Sequence, residues 1–211
     1  MEALEQEVSG RNDGGAKRRQ IMEGARQVFL NSGFDGASMN DVARAAGVSK
    51  GTLYAYFNSK EELFEAIIRA EKSQSAERMC AFVPDHSDPR VMLTDFGVRL
   101  LTRMAEPSTL ALSRVVIAAA EKFPNIGRTF FEAGPLYGNQ RLAQRLRELE
   151  QAGLVSVPDP ERAAWHFLDL CFSGGYKRLL FGVVDSLSRE DIQASVEAGV
   201  EVFLKAYGAR A

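Results

Sequence analysis

The run Ser49-Lys50-Gly51-Thr52, followed by Tyr54 and Tyr56, gathers two aliphatic hydroxyls, an ammonium, an unshielded backbone amide and two phenols in one short stretch. Ser38 lies upstream, Lys60 lies just downstream, and Lys17 opens a basic triplet with Arg18 and Arg19. These groups hydrogen-bond phosphate oxygens and base edges. A lysine meets a phosphate as a point charge, a glycine lets a backbone amide come close, and a hydroxyl bonds either phosphate or base. Taken alone, two tyrosines in a short helix are as easily half-buried packing, so the reading depends on the elements that hold them.

Those elements are helices. Ile21, Ala25, Val28 and Phe29 recur at helical spacing. Gly33 is placed to end that helix, with Phe34 folding back on its last turn. Ser38 and Asp41 form a capping-box-like pair for a second helix that buries Met39, Val42 and Ala43 and stops at Gly47. Ser49 caps a third helix through Tyr56, and Asn58 breaks it. Ser59 and Glu62 cap a fourth, long helix reaching about Val83. Two short helices, about 38–45 and 49–56, joined by a tight turn, make a helix-turn-helix, whose second helix enters the DNA major groove. Val48, Leu53 and Phe57 are its inward anchors, and the small Ala43 lets the helices cross closely. Lys17, Arg18 and Arg19, at a helix start, oppose the helix dipole, and a phosphate partner would offset this.

Charge singles out the same region. Residues 14–60 hold seven bases against three acids, while residues 1–13 and 61–211 are each net negative within a chain of net charge −2. Only this part suits a phosphate backbone. Residues 1–13, acidic and running into Gly14 and Gly15, are expected to be a flexible tail.

Beyond Pro84 the pattern stays helical. Asp88-Pro89 and Asp159-Pro160 look like caps with proline in the first turn. Pro107, Pro124 and Gly134-Pro135 divide the middle, Gly153 ends a polar helix, and Ser188 with Asp191 caps the last one. The expectation is an all-α chain of roughly nine helices: tail 1–13, DNA-binding domain 14–60, and a ligand-binding and dimerisation domain 61–211.

The stretch FDGASMNDVARAAGVSKGTLYAYFNSKEELFEAII resembles the DNA-binding region of the tetracycline-repressor-like (TetR) transcriptional regulators, over residues 17–68. Its G-V-S-x-G-T-L-Y-x-Y-F-x-S-K-E-x-L run is almost unbroken. The resemblance implies an all-helical homodimer with three N-terminal helices on DNA and a larger domain that binds a small molecule. It also implies that Ser38, Ser49, Lys50, Gly51, Thr52, Tyr54, Tyr56 and Lys60 fall at DNA-contacting positions. Further on, SRVVIAAAEKFPNIGRTFFEAGP is similar to the C-terminal domain of AefR-like members.

The larger domain offers Phe96, Leu100, Met104, Val116, Phe130, Phe131, Tyr137, Trp165 and Phe172 as walls for a hydrophobic or aromatic effector. Arg99, Arg103, Arg114, His166 and Asp169 are its possible polar handles. Helices at about 160–182 and 189–206, with Phe172, Leu179, Val196, Val200 and Phe203, carry more apolar surface than a monomer would expose, and predict a two-fold dimer.

Other classes find little support. There is no glycine-rich phosphate loop, paired His–carboxylate motif or nucleophile elbow, so an enzyme is not expected. His86, His166, Cys80 and Cys171 lack metal-ligand spacing, so no metal or cofactor is expected. Without a signal-type segment or an 18-residue apolar span, the expected location is cytoplasmic and off the membrane. The reading is a ligand-responsive repressor released from a palindromic operator. An inducer-free DNA-binding protein of chromosome organisation is the alternative.

Overall fold

The computed structural model describes the backbone of residues 2–79 and 88–209, and side chains over 14–71 and 88–209. Among the described residues the regular structure is helical, apart from one isolated bridge between Val155 and Gly208. The chain divides into two compact units, Met1–Glu71 with Val115–Phe130, and Lys72–Arg114 with Phe131–Ala211.

The first unit begins with α1 (Glu2–Gly36), which is interrupted at Gly33, where φ is +69°. Phe34 stacks back on Phe29 with ring centroids 5.6 Å apart. α2 (Met39–Ala45) and α3 (Lys50–Tyr56) follow, each started by a serine whose side chain accepts a backbone N–H: Asp41 N–H at 3.2 Å for Ser38 and Thr52 N–H at 3.0 Å for Ser49. α4 (Lys60–Met79) starts at Ser59, whose hydroxyl accepts the Glu62 N–H at 3.2 Å. The Glu62 carboxylate completes the cap one residue earlier than expected, accepting from the Asn58 backbone N–H at 2.9 Å. The expected end of this helix at Val83 lies outside the described residues.

The unit's core joins Ile21, Phe29, Phe34, Val42, Leu53, Phe57, Phe64 and Ile68, all fully buried. Phe123 closes it edge-on to Phe34 at 4.8 Å. This packing, and the Arg26–Glu71 ion pair, extend the unit through Glu71 and bring in 115–130. The domain boundary expected at 60/61 is therefore displaced, because α4's first turns are core and not linker. Of the tail expected over 1–13, residues 2–13 fall within the span of α1, with side chains described only from Gly14 onward. Lys17–Arg19 consequently lie inside α1 and not at its start, so the dipole argument for them does not hold.

The second unit contains α5 (Pro89–Ala105), the first half of α6 (Pro107–Ala120), the end of α7 (Pro124–Phe131), α8 (Tyr137–Gln151), α9 (Pro160–Cys171), α10 (Gly175–Leu180) and α11 (Arg189–Tyr207). Its core holds Phe167 tilted against Phe96 and edge-on to Phe203, with Leu93, Leu142, Leu146, Val196 and Val200 around them. Asp88, Asp159 and Ser188 cap α5, α9 and α11 as the sequence predicts, the last with a full capping box.

Two expectations fail here. Gly134-Pro135 does not divide the chain: residues Glu132–Leu136 form a π-helical turn that runs into α8. Pro135 has no N–H for the α-helical ladder, and the wider turn accommodates its ring. Conversely, the helix expected over 160–182 is broken. Gly174 takes φ +70°, a left-handed conformation that ends α9 and re-aims α10.

Candidate nucleic-acid interface

Three contacts position α3. Leu53 and Phe57 are fully buried and anchor it to the core. Gly47 has φ +63°, the left-handed turn that a side chain would strain. α1 and α2 meet at Gly24, where a Cβ would sit 2.6 Å from the Ala46 backbone nitrogen. This glycine permits the close approach of α1 to the end of α2. Across the same seam Gln20 donates to the Ala46 carbonyl at 2.7 Å. The sequence signal for Gly24 was present, as a glycine inside a helical pattern, but its partner is remote in sequence.

With Leu53 and Phe57 inward, Lys50, Gly51, Tyr54 and Ala55 are left exposed on α3. Tyr54 is 43% exposed, a large value for an aromatic with no partner in its own core. The Lys50 ammonium lies 5.9 Å from the Tyr54 ring centroid, so charge and phenol form one patch. Gly51 has open space where a Cβ would be, with only the Ser49 hydroxyl near, so its backbone is approachable. Ser49 and Thr52 share a hydroxyl contact of 2.8 Å besides the cap. Thr52 and Tyr56 are half-buried, and Tyr56 turns its phenol toward Gly14 of α1. Ser38 is exposed; the hydrogen bond it donates to the Asp41 carboxylate, with Arg44 beside it, holds that carboxyl below the usual range. Lys17 donates to Gln20 at 3.0 Å on α1.

Lys60 departs from expectation. Its Nζ points into the protein, 3.0 Å from the Phe34 carbonyl and 3.4 Å from that of Ala37. It lies over the Phe34 ring at 4.6 Å. The long side chain reaches back because the α1–α2 connection presents carbonyls with no helical partner. A cleft beside α4, lined by Arg18, Glu62, Glu65 and Arg69, is the first unit's charged hollow and shares no residue with the aromatic effector set.

The effector set divides between the two units. Phe96 is fully buried core. Leu100, Tyr137, Trp165 and Phe172 are partly buried against the same core, and Met104 is half-buried. Val116 and Phe130 fall in the first unit. Phe131, 47% exposed, stacks on Trp165 at 5.8 Å with planes 13° apart. His166 is exposed on α9, its Nδ1 2.7 Å from the Tyr207 hydroxyl. The charged handles are engaged within the chain: Arg99 with Asp95 at 2.8 Å, Arg103 with Glu106, and Arg114 with the Leu179 carbonyl at 2.7 Å.

Nor does the expected dimer stripe hold as written. Leu179, Val196, Val200 and Phe203 are buried in the chain's own core, and Phe172 is half-buried. The same segments expose Phe181 and Val202 instead, with Val183 just beyond. Among the described residues, no His, Cys, Asp or Glu cluster could hold a metal, and no helix is long and apolar enough to cross a membrane.

Comparison with known proteins agrees with this geometry. Residues 21–67 match the bacterial regulatory proteins of the tetR family, and residues 91–209 match the C-terminal domain of AefR-like transcriptional repressors. The transcriptional regulator UidR of Escherichia coli K12 is 30% identical over 197 residues, spanning 89% of this chain and 90% of UidR. The Mycobacterium tuberculosis repressor Rv1474c is 29% identical over 167 residues, 79% of this chain and 84% of its own. Among solved structures, a TetR-family regulator from Mesorhizobium loti superimposes with a TM-score of 0.84 at 29% identity, covering 92% of this chain and 98% of that one. The flavonoid-responsive regulator FrrA superimposes with a TM-score of 0.82 at 37% identity, covering 93% and 100%. The chain belongs to the TetR family of transcriptional regulators, with an AefR-like C-terminal domain, and is a DNA-binding regulator and not an enzyme.

Proposed function

We propose that this regulator is a cytoplasmic homodimeric repressor that grips a palindromic operator through α3 and releases it on binding a small aromatic molecule. The observation that carries the DNA reading is the two-sided α3. Leu53 and Phe57 are 1% exposed or less, while Lys50, Gly51 and Tyr54 are left outside. Lys50 and Lys17 act on phosphates; Ser38, Ser49, Thr52, Tyr54 and Tyr56 supply hydroxyls to phosphate or base edges. Lys60 acts by holding the α1–α2 connection that orients α2 and α3. Two copies of α3 must sit about 34–36 Å apart to read adjacent major grooves. The apolar surface exposed by the last helices, Phe181, Val183 and Val202, supports their role in pairing the two copies.

The aromatic effector is supported by the half-buried rings of the second unit and by the likeness to FrrA, a flavonoid-responsive regulator. Ligand and DNA then affect each other reciprocally. α4 passes from one compact unit into the other, since a division falls after Glu71, and with α6 and α7 it is one of three helices that carry the chain between the units. Footprinting on the DNA upstream of the protein's own gene tests the reading. Two protected half-sites one helical turn apart, cleared by a hydroxylated flavonoid, are expected. Uniform, sequence-independent protection would favour the inducer-free chromosome-organising alternative.

A further inference from the structure

Thr109 lies buried on α6, and its Oγ1 has no hydrogen-bond partner among the described residues. Buried hydroxyls almost always have one, because an unpaired hydroxyl keeps its full desolvation cost. α6 is otherwise strongly apolar, so a valine at this position would pack as well without that cost.

The neighbouring groups extend the polar spot. Ser113, one turn on and also buried, donates to the Thr109 carbonyl at 2.9 Å, which leaves its oxygen able to accept. Tyr176 of α10 brings its phenol to Ser113. Burial pushes that phenol's pKa up, while the Ser113 hydroxyl and the Arg114 charge act in the opposite direction. The phenol is therefore a neutral donor at physiological pH. The Phe172 ring lies 5.0 Å from the Tyr176 ring, so an aromatic wall adjoins the hydroxyls. The guanidiniums offered as polar handles, Arg99, Arg103 and Arg114, already bond within the chain. The unsatisfied group is thus a neutral hydroxyl, which suits a neutral partner better than an ionised one.

We propose that Thr109, Ser113 and Tyr176 form the hydrogen-bonding end of the effector site, and that they select an uncharged aromatic molecule bearing a hydroxyl. This rests on the reading of the chain as an effector-responsive repressor, and it names residues and a ligand class within it. Threonine at 109 is a recognition group whose partner arrives with the ligand.

The experiment compares 7-hydroxyflavone with unsubstituted flavone for release of operator DNA, in wild type, Thr109→Val and Thr109→Ser, with melting temperatures as controls. Wild type is expected to release at about 10-fold lower 7-hydroxyflavone than flavone, the size of one hydrogen bond to a group otherwise unsatisfied. Thr109→Val should erase that preference while melting no lower than wild type and holding ligand-free operator as tightly. Thr109→Ser should keep the preference. Tyr176→Phe should reduce it. A Thr109→Val protein that melts lower, or that still prefers 7-hydroxyflavone, overturns the proposal. Equal response of wild type to both flavones overturns it too, and leaves the aromatic effector standing. If neither flavone releases wild-type protein, the handle and the aromatic reading fall together.

Discussion

The Nζ of Lys60 lies 3.0 Å from the carbonyl oxygen of Phe34 and 4.6 Å from the centre of the Phe34 ring. One ammonium thereby closes the α1–α2 connection from its polar and its apolar side. Lys60 looks like a phosphate contact in the sequence, yet its geometry is that of a clamp. Lys60→Ala should lower unfolding stability by about 1–2 kcal/mol, from the lost carbonyl bonds and the cation–π contact. Urea denaturation measures this. The salt dependence of DNA binding should keep its wild-type slope; a slope flattened by one phosphate contact with stability unchanged would restore the phosphate role.

Gly24 presents a contest between two effects. Alanine in a helix interior is better than glycine by about 1 kcal/mol. Here its Cβ would meet backbone atoms of Ala46 at 2.6 and 2.7 Å, which cannot rotate away. Overpacking of this kind costs about 1–3 kcal/mol or more, so the clash wins. Gly24→Ala should destabilise the protein and weaken operator binding together, because α2 is pushed off α1. Gly15→Ala, whose nearest neighbour would be the flexible end of Arg19 at 3.7 Å, should be neutral or stabilising. Thermal melts of the two variants separate the effects.

Cys171 is fully buried, and burial pushes its thiol up to about 12. The thiolate is the reactive form, so at pH 8 fewer than about one in a thousand molecules carries it. In a Cys80→Ser background, iodoacetamide should leave Cys171 unmodified in the native protein and alkylate it promptly in denaturant. Mass spectrometry reads the outcome; rapid native labelling would mean that the α9–α11 core opens readily.

Phe181 is 80% exposed and Val202 52% exposed, large values for apolar side chains on a stable monomer's surface. Introducing charge with Phe181→Glu or Val202→Glu should shift sedimentation toward the monomer and weaken operator binding, without lowering the melting temperature of the monomer's own core. A variant that stays fully dimeric would place the interface elsewhere.

Much of the fold was legible because its signals are local. Ser38, Ser49, Asp88, Asp159 and Ser188 cap helices by bonding amides two or three residues away, so the pattern alone locates them. What failed depends on remote partners. Val196 and Val200 form an apolar stripe in sequence, but whether a stripe faces its own chain or a second copy is decided by packing against α9 and α5. Gly174 inside an apolar helix has no local mark that separates a break from a close contact. Lys60 has a long, flexible stem, and its direction is set by carbonyls more than twenty residues away. Thr109 gives no signal until its burial and its missing partner are known.

The most direct test of the account is the operator affinity of wild type and Lys50→Ala across a series of salt concentrations. Lys50 is exposed in the first turn of α3, so its loss should not disturb the fold. The account predicts weaker binding on operator and unrelated DNA alike, a log–log salt slope less steep by about 0.9, and an unchanged melting temperature. Unchanged affinity and slope at low salt, in a folded protein, would contradict the placement of α3 on DNA.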